Sequence, residues 1–282
     1  MSIYHINGAE LHEAYAVNGN AFASGYSIDG TKNYRKSLRV MQYNVGGWYD
    51  GAGTNVPEAY VSTYYALQSS TITDNDPDIL FINEYLANFS DTGYSALSFL
   101  QQFFPYIKTV TYGTYYGRAV CSKRPLSNYQ SHVYAGESYR YYDTMTVTVN
   151  GVTLTLCVTH LSPSSTSDRH TETVELVTFL QALQTPFICS GDLNTLKSST
   201  TSAADYVGVI QPLLDAGFHL ANMGDLGRFI TYKNTELGNG ALDNIITSSD
   251  IKITNAYVSN EKEYASLPTQ IDHMPLVADI EI

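Results

Sequence analysis

The chain has 282 residues, is 44% hydrophobic, and carries 27 acidic against 15 basic side chains for a net charge of −12. That length suits one large domain with a sizeable core, and the acidic balance argues against tight, charge-driven binding to nucleic acid, which needs a basic patch. No apolar run reaches the roughly 18 residues of a membrane span, and MSIYHINGAELHEAY lacks the basic-then-apolar order of a secretory signal, so cytoplasmic, exported and virion-associated locations all stay open.

The first thirty residues repeat. INGAELHEAYA (6–16) is followed by VNGNAFASGYS (17–27) and IDG (28–30), aligning Ile6 with Val17 and Ile28, and Gly8 with Gly19 and Gly30. Asn-Gly and Asp-Gly favour tight turns because both residues tolerate positive φ. The segment is therefore expected to form small hairpin-like units, too short to bury a core of their own. Such units need a surface to cover them, and self-association or particle attachment through residues 1–30 is the expected use. Residues 31–37 form a linker, and the small basic cluster Lys32, Arg35, Lys36 and Arg39 reads as solvated. Two units are expected, 1–37 and a catalytic domain over 38–282.

From 38 onward strands and helices alternate. LRVMQYNV (38–45) is a predicted strand, PEAYVSTYYALQSSTI (57–72) a helix with Pro57 near its first turn, DILFINEY (78–85) a strand and SALSFLQQFF (95–104) a helix. GRAVCSK (117–123) and TMTVTV (144–149) follow as strands, and Asn150-Gly151 marks a hairpin turn into VTLTLCVTHL (152–161). SDRHTETVELVTFLQALQ (167–184) places apolar residues at 174, 176, 177, 180 and 183, a helix face against a sheet. FICSGDLN, a helix near 204–215, LDNIITS (242–248), ITNAYVS (253–259) and LVADIEI (276–282) complete the series. Cys121, Cys157 and Cys189 all fall inside strand-like runs with no zinc spacing, and are expected to be buried free thiols. Hairpin-paired strands covered by helices predict a β-sandwich with outer helices.

Polar residues recur where these strands end: Asn44 in MQYNV, Glu84 in LFINEY, His160 in VTHL, Asp192 and Asn194 in SGDLN, Asp243 in LDNII, and Asp272-His273 in IDHMP. A single Asp or Asn after a strand is more often a turn former than a ligand. A whole set of complementary types at successive strand ends points to a site instead.

The ordered series QYNV, INEY, GRAVCSKRPL, THL, GDLN, LDNIITS and DHMP resembles the motifs of the endonuclease/exonuclease/phosphatase superfamily, whose fold is that of deoxyribonuclease I. The resemblance spans about residues 38–282. Asn83 stands where the family usually has Gln, and Ile271 where Ser is usual. The resemblance implies an α+β fold, a four-layer α/β/β/α sandwich of two mixed sheets flanked by helices. It also implies a metal-dependent phosphodiester hydrolase with Mg²⁺ or Mn²⁺ held by Asn44, Glu84 and Asp272.

The chemistry accounts for the same residue types. A hard cation takes oxygen ligands and offsets charge that develops on phosphoryl oxygens. Asp192 is expected to accept a hydrogen bond from the attacking water, with Asn194 steadying Asp192 or the phosphate. Asp243 is expected to orient His273, with His160 a second imidazole near the leaving group and Arg140 gripping a phosphoryl oxygen. The expected partner is a phosphodiester substrate, with DNA leading because nucleases abound in the superfamily. The acidic composition instead favours a phospholipid head group or cell-envelope polymer. A virion-associated protein on a retired catalytic fold is a third reading, against which the intact strand-end set stands.

Overall fold

The computed structural model describes residues 4–6, 9–11, 37–46, 61–85, 95–112, 116–135, 140–195, 202–233, 239–268 and 271–282. Strands β1 (Tyr4–Ile6) and β2 (Ala9–Leu11) pair antiparallel on either side of Asn7-Gly8, where the first hairpin-like unit is expected. The rest of the repeat and its linker lies outside the described residues.

The remaining strands are β3 (Ser37–Asn44), β4 (Ile79–Tyr85), β5 (Tyr106–Tyr112), β6 (Tyr116–Ser122), β7 (Leu126–Val133), β8 (Tyr141–Val149), β9 (Val152–His160), β10 (Phe187–Asp192), β11 (His219–Leu220), β12 (Asp243–Thr247), β13 (Lys252–Val258) and β14 (Leu276–Glu281). They form two six-stranded sheets, in the orders β13-β14-β3-β4-β6-β5 and β11-β12-β10-β9-β8-β7. Both sheets are mixed: β3–β4 and β9–β10 are parallel pairs, and their other ladders are antiparallel.

Three apolar layers separate four structural ones. Between the sheets pack Leu38, Val40, Ile79, Phe81, Val120, Met145, Leu156, Val158, Ile188, Ile245 and Ile280. Outside the first sheet, Met41, Tyr43, Leu80, Ile82 and Val277 meet Tyr64 and Ile72 of α1 (Val61–Asn75), Phe99 and Leu100 of α2 (Ala96–Leu100), and Tyr264 of α6 (Glu261–Ala265). Outside the second, Cys157, Phe187, Cys189 and Ile246 meet Leu176 and Leu180 of α3 (Thr166–Ala182), and Val209, Ile210 and Leu213. The last three lie on a segment built of α4 (Ser202–Asp205), a π-helical turn (Tyr206–Ile210) and α5 (Gln211–Asp215), where a single helix is expected. All three cysteines are buried and free, as their strand positions predict.

The expected α/β/β/α sandwich is the observed one, with corrections of detail. The buried stripe of α3 is Arg169, Glu172, Thr173, Leu176 and Leu180, whereas Val174 is 59% exposed. Polar residues sit in that stripe because they have partners there. Arg169 bonds Asp205 (2.7 Å) and the Ser162 carbonyl (3.0 Å), and Glu172 accepts from the Ser162 N–H (2.7 Å). The Asn150-Gly151 turn joins β8 to β9 as expected, with both residues at positive φ (51° and 85°). No helix among the described residues is long and apolar enough to cross a membrane.

Candidate active site

Alternation along each strand carries the inter-sheet core directly into a polar layer. On β3 the inward positions run Leu38, Val40, Gln42, Asn44; on β4, Ile79, Phe81, Asn83; on β9, Leu156, Val158, His160; on β10, Ile188, Ser190, Asp192. The parallel pairs β3–β4 and β9–β10 end at the same level, with Asn44 opposite Asn83 and Asp192 opposite His160. Strand β12 runs the other way, so its first residue, Asp243, lies opposite Asp192. The polar strand ends therefore gather at one end of the sandwich because period-two side chains and sheet direction leave them no other place.

Glu84 reaches this layer by a different device. The β4–β6 register shifts between Asn83 and Tyr85, and Glu84 adopts φ 57°. This bulge lets Asn83 face the second sheet and Tyr85 face α2 while Glu84 joins the strand-end group. A non-glycine residue in the left-handed region is costly unless its surroundings hold it there, and such positions cluster at functional sites.

The site centres on Asp192, which is 1% exposed. Its Oδ1 accepts the Asn194 backbone N–H at 2.7 Å, with Asn194 at φ 50° to make the approach. Its Oδ2 accepts the Asn44 Nδ2–H at 2.9 Å and lies 3.5 Å from both His160 Nε2 and His273 Nε2. Asn44 Nδ2 also bonds Glu84 Oε1 (3.1 Å), and its Oδ1 accepts from the Gly46 N–H (2.9 Å). His273 Nδ1 pairs with Asp243 Oδ2 at 2.8 Å, and Tyr232 packs edge-on against the imidazole. Glu84, His160 and Asp192 converge within 4.8 Å of one another, as do Asp192, Asp243 and His273.

Electrostatics separate the two imidazoles. Burial pushes His160 down to about 3, with Arg140 and Arg118 adding to the shift and Asp192 opposing it, so His160 is neutral. Burial also opposes a charge on His273, but Asp243 and Asp192 outweigh it and raise His273 to about 10, so it is a cation. Burial raises the Glu84 carboxyl against the Asn44 hydrogen bond, and raises Asp243 against its His273 partner. A half-buried carboxylate, Glu84, and a buried one, Asp192, thus share one amide between them. Like charges so placed call for a cation, and their hard oxygens suit Mg²⁺ or Mn²⁺.

Four predicted residues sit differently from their expected roles, Asn44 among them, since its amide NH₂ rather than its oxygen meets the two carboxylates. Asn194 is 2% exposed and its Nδ2 donates to the Leu161 carbonyl (3.0 Å), so it is the backbone of Asn194, not its amide, that meets Asp192. Asp272 is half-buried and belongs to neither converging group, though its charge acts on Glu84 and His273. Arg140 lies at the rim, its Nη1 3.5 Å from the His160 carbonyl. Residues that the sequence reading passed over are Gln42 and Ser190, which with Asn83 are inward-facing polar groups beneath the site, and Arg118, which bonds Asp143 across the two sheets at 2.7 Å.

The sequence matches the model of the Endonuclease/Exonuclease/phosphatase family over residues 41–265. The chain belongs to that family. No curated protein sequence matches it. Among solved structures, the fold is similar to TDP2 from C. elegans (17% identity, TM-score 0.66, covering 96% of this chain and 81% of that one). It is also similar to an endonuclease/exonuclease/phosphatase family protein from Leptotrichia buccalis (17%, TM-score 0.63, 87% and 100%). A third is the 3′ phosphatase NExo from Neisseria bound to a product DNA hairpin (19%, TM-score 0.59, 86% and 98%).

The endonuclease/exonuclease/phosphatase segment GDLN shows why its glycine is needed. Gly191 pairs with Thr159 across the parallel β9–β10 ladder, and a Cβ there would lie 2.0 Å from the Thr159 carbonyl oxygen. Gly191→Ala is expected to push β9 from β10, destabilise the fold by about 2–4 kcal/mol, and displace Asp192. Denaturant unfolding measures the first effect.

Proposed function

We propose that this protein is a divalent-metal-dependent phosphodiester hydrolase acting on nucleic acid, with DNA the leading substrate. The observation that carries the reading is the convergence on Asp192 of a neutral imidazole, a cationic imidazole held by its own carboxylate, and a second carboxylate bridged by Asn44. Asp192 takes the proton of the attacking water; the Asn194 N–H fixes one of its oxygens and leaves the other facing the site. His160, uncharged, orients the phosphate or the water rather than neutralising charge. The His273 cation, steadied by Asp243, offsets negative charge that builds on the phosphoryl oxygens. Arg140 at the rim meets the substrate's next phosphate. Glu84 would hold a Mg²⁺ or Mn²⁺ ion, with Asn44 and Asp272 beside it, and the ion would supply Lewis-acid stabilisation of the phosphoryl group.

The net charge of −12 favours a second reading, the same chemistry on a non-nucleic phosphodiester. Supercoiled plasmid, a single-stranded oligonucleotide, sphingomyelin vesicles and an aryl phosphodiester, assayed side by side with Mg²⁺, separate the two. EDTA is expected to abolish turnover on every accepted substrate, and excess Mg²⁺ or Mn²⁺ to restore it. Full activity in chelator would remove the metal from the mechanism, and cleavage of sphingomyelin alone would displace nucleic acid as the substrate.

A further inference from the structure

The residues that surround Asp192 and His273 rest on a second, deeper layer with no access to substrate. Gln42 and Asn83 are both 0% exposed and face each other across the parallel β3–β4 pair. The Gln42 amide nitrogen donates to Asn83 Oδ1 at 2.7 Å and to Asp243 Oδ1 at 3.2 Å, while its oxygen accepts from the Ser190 hydroxyl at 3.0 Å. Asn83 Oδ1 also accepts the backbone N–H of Asp192 at 2.8 Å, and its Nδ2 donates to the Thr159 carbonyl at 2.7 Å. Every bond that leaves the pair crosses from the first sheet to the second, reaching β9, β10 and β12.

The orientation of both amides is forced. Turning Asn83 over would set its NH₂ against the Asp192 N–H and its oxygen against the Thr159 carbonyl. Turning Gln42 over would set its oxygen against Asn83 Oδ1 and Asp243 Oδ1. Each flip replaces matched pairs with donor–donor or acceptor–acceptor contacts in a buried place, at the full cost of unsatisfied polar groups.

From this geometry we infer that Gln42 and Asn83 are positioning residues that hold the Asp192 backbone and the Asp243–His273 pair in one fixed relation across the two sheets. Gln42 occupies one oxygen of Asp243 and so presents the other to His273 Nδ1, which fixes the ring. Asn83 fixes the height of Asp192 on β10 relative to Asn44 on β3. Neither touches substrate. A displacement of about 1 Å between such groups is enough to cost about 10²-fold in rate.

This inference rests on the hydrolase reading for its kinetic arm, and a spectroscopic arm is independent of that reading. Gln42→Met keeps volume and removes the bonds. It should fold, because Asn83 Oδ1 keeps the Asp192 N–H and Ser190 keeps the Asn244 carbonyl at 2.9 Å. Ser190→Ala, which removes only the hydroxyl holding Gln42, is the milder second variant. On an aryl phosphodiester, Gln42→Met is expected to lower kcat about 10²-fold with KM within about threefold. Ser190→Ala should lower kcat several-fold, and both variants should keep a wild-type unfolding midpoint. In protein carrying ¹⁵N-histidine, the His273 Nδ1–H resonance should shift in both variants while the amide spectrum away from the site is unchanged. Wild-type kcat in folded variants, or losses that follow the unfolding midpoint, would overturn the positioning role. If the wild type hydrolyses no phosphodiester, the hydrolase reading falls, and an unshifted His273 resonance would then overturn the clamp separately.

Discussion

Asp192→Asn is expected to leave the protein folded and lower turnover by about 10³-fold or more, within the range for removal of a general base. The substitution preserves shape, and its Oδ1 still accepts the Asn194 N–H, so the strand end has no reason to unravel. What disappears is the charge that accepts the water's proton. His160 cannot take over, because burial holds its affinity for protons far below neutrality, at about 3. His273 already carries a proton, and Asp243, which the variant keeps, still favours that proton against burial. With both neighbouring imidazoles set the wrong way for the task, no bypass exists at neutral pH. Circular dichroism and thermal unfolding should match the wild type while single-turnover rates collapse. An unfolded variant would show Asp192 to be a turn former instead.

Asp243→Asn and His273→Ala are each expected to lower kcat by about 10²-fold or more, and the double variant to be little worse than either. The two side chains form one device. The 2.8 Å bond from Nδ1 fixes the ring, and the carboxylate is part of what keeps the ring charged despite burial. Removing the carboxylate takes away the largest of the charges that hold the ring's proton against burial, and with it the bond that orients the ring. Removing the ring leaves a carboxylate with nothing to orient. Groups that act as a unit give non-additive losses, and fully multiplicative ones would show that the two act separately.

Much of this site was legible before any fold was known, because the polar strand ends are abrupt exceptions to apolar alternation. His160 directly follows the inward Val158, while Asn44 and Asp192 follow the inward Val40 and Ile188 with one further polar residue, Gln42 or Ser190, between. The same logic hides Gln42, Asn83 and Ser190. They lie inside predicted strands, where a lone polar residue looks like an outward-facing position, and only the sheet-to-sheet pairing shows them facing inward. The edge strands β5 and β7 were missed for another reason. In β7, YQSH within LSNYQSHV has no apolar period because most of the strand is exposed, and β5 is the neighbouring edge strand of the other sheet, with Lys108 over the Tyr129 ring of β7. The Glu84 bulge left no trace in the spacing at all, since a single extra residue shifts register without altering composition.

The unbroken passage from apolar core to polar strand ends sets stability and activity against each other in one layer of side chains. Asn44, Gln42, Asn83, Ser190, Asp192 and Asp243 are each no more than 1% exposed, and each is a polar group at the end of the inter-sheet core. Buried charges and amides contribute less to folding than apolar groups of the same shape, so this end of the sandwich is where the fold is least optimised for its own persistence. A laboratory selection that rewarded heat resistance alone would reach this layer early, extend the hydrophobic core to the rim, and yield a tougher protein with no chemistry. Thermostabilised variants of this chain should therefore be sought on α1, α3 and the exposed edge strands, where nothing stored in the side chains is needed for turnover.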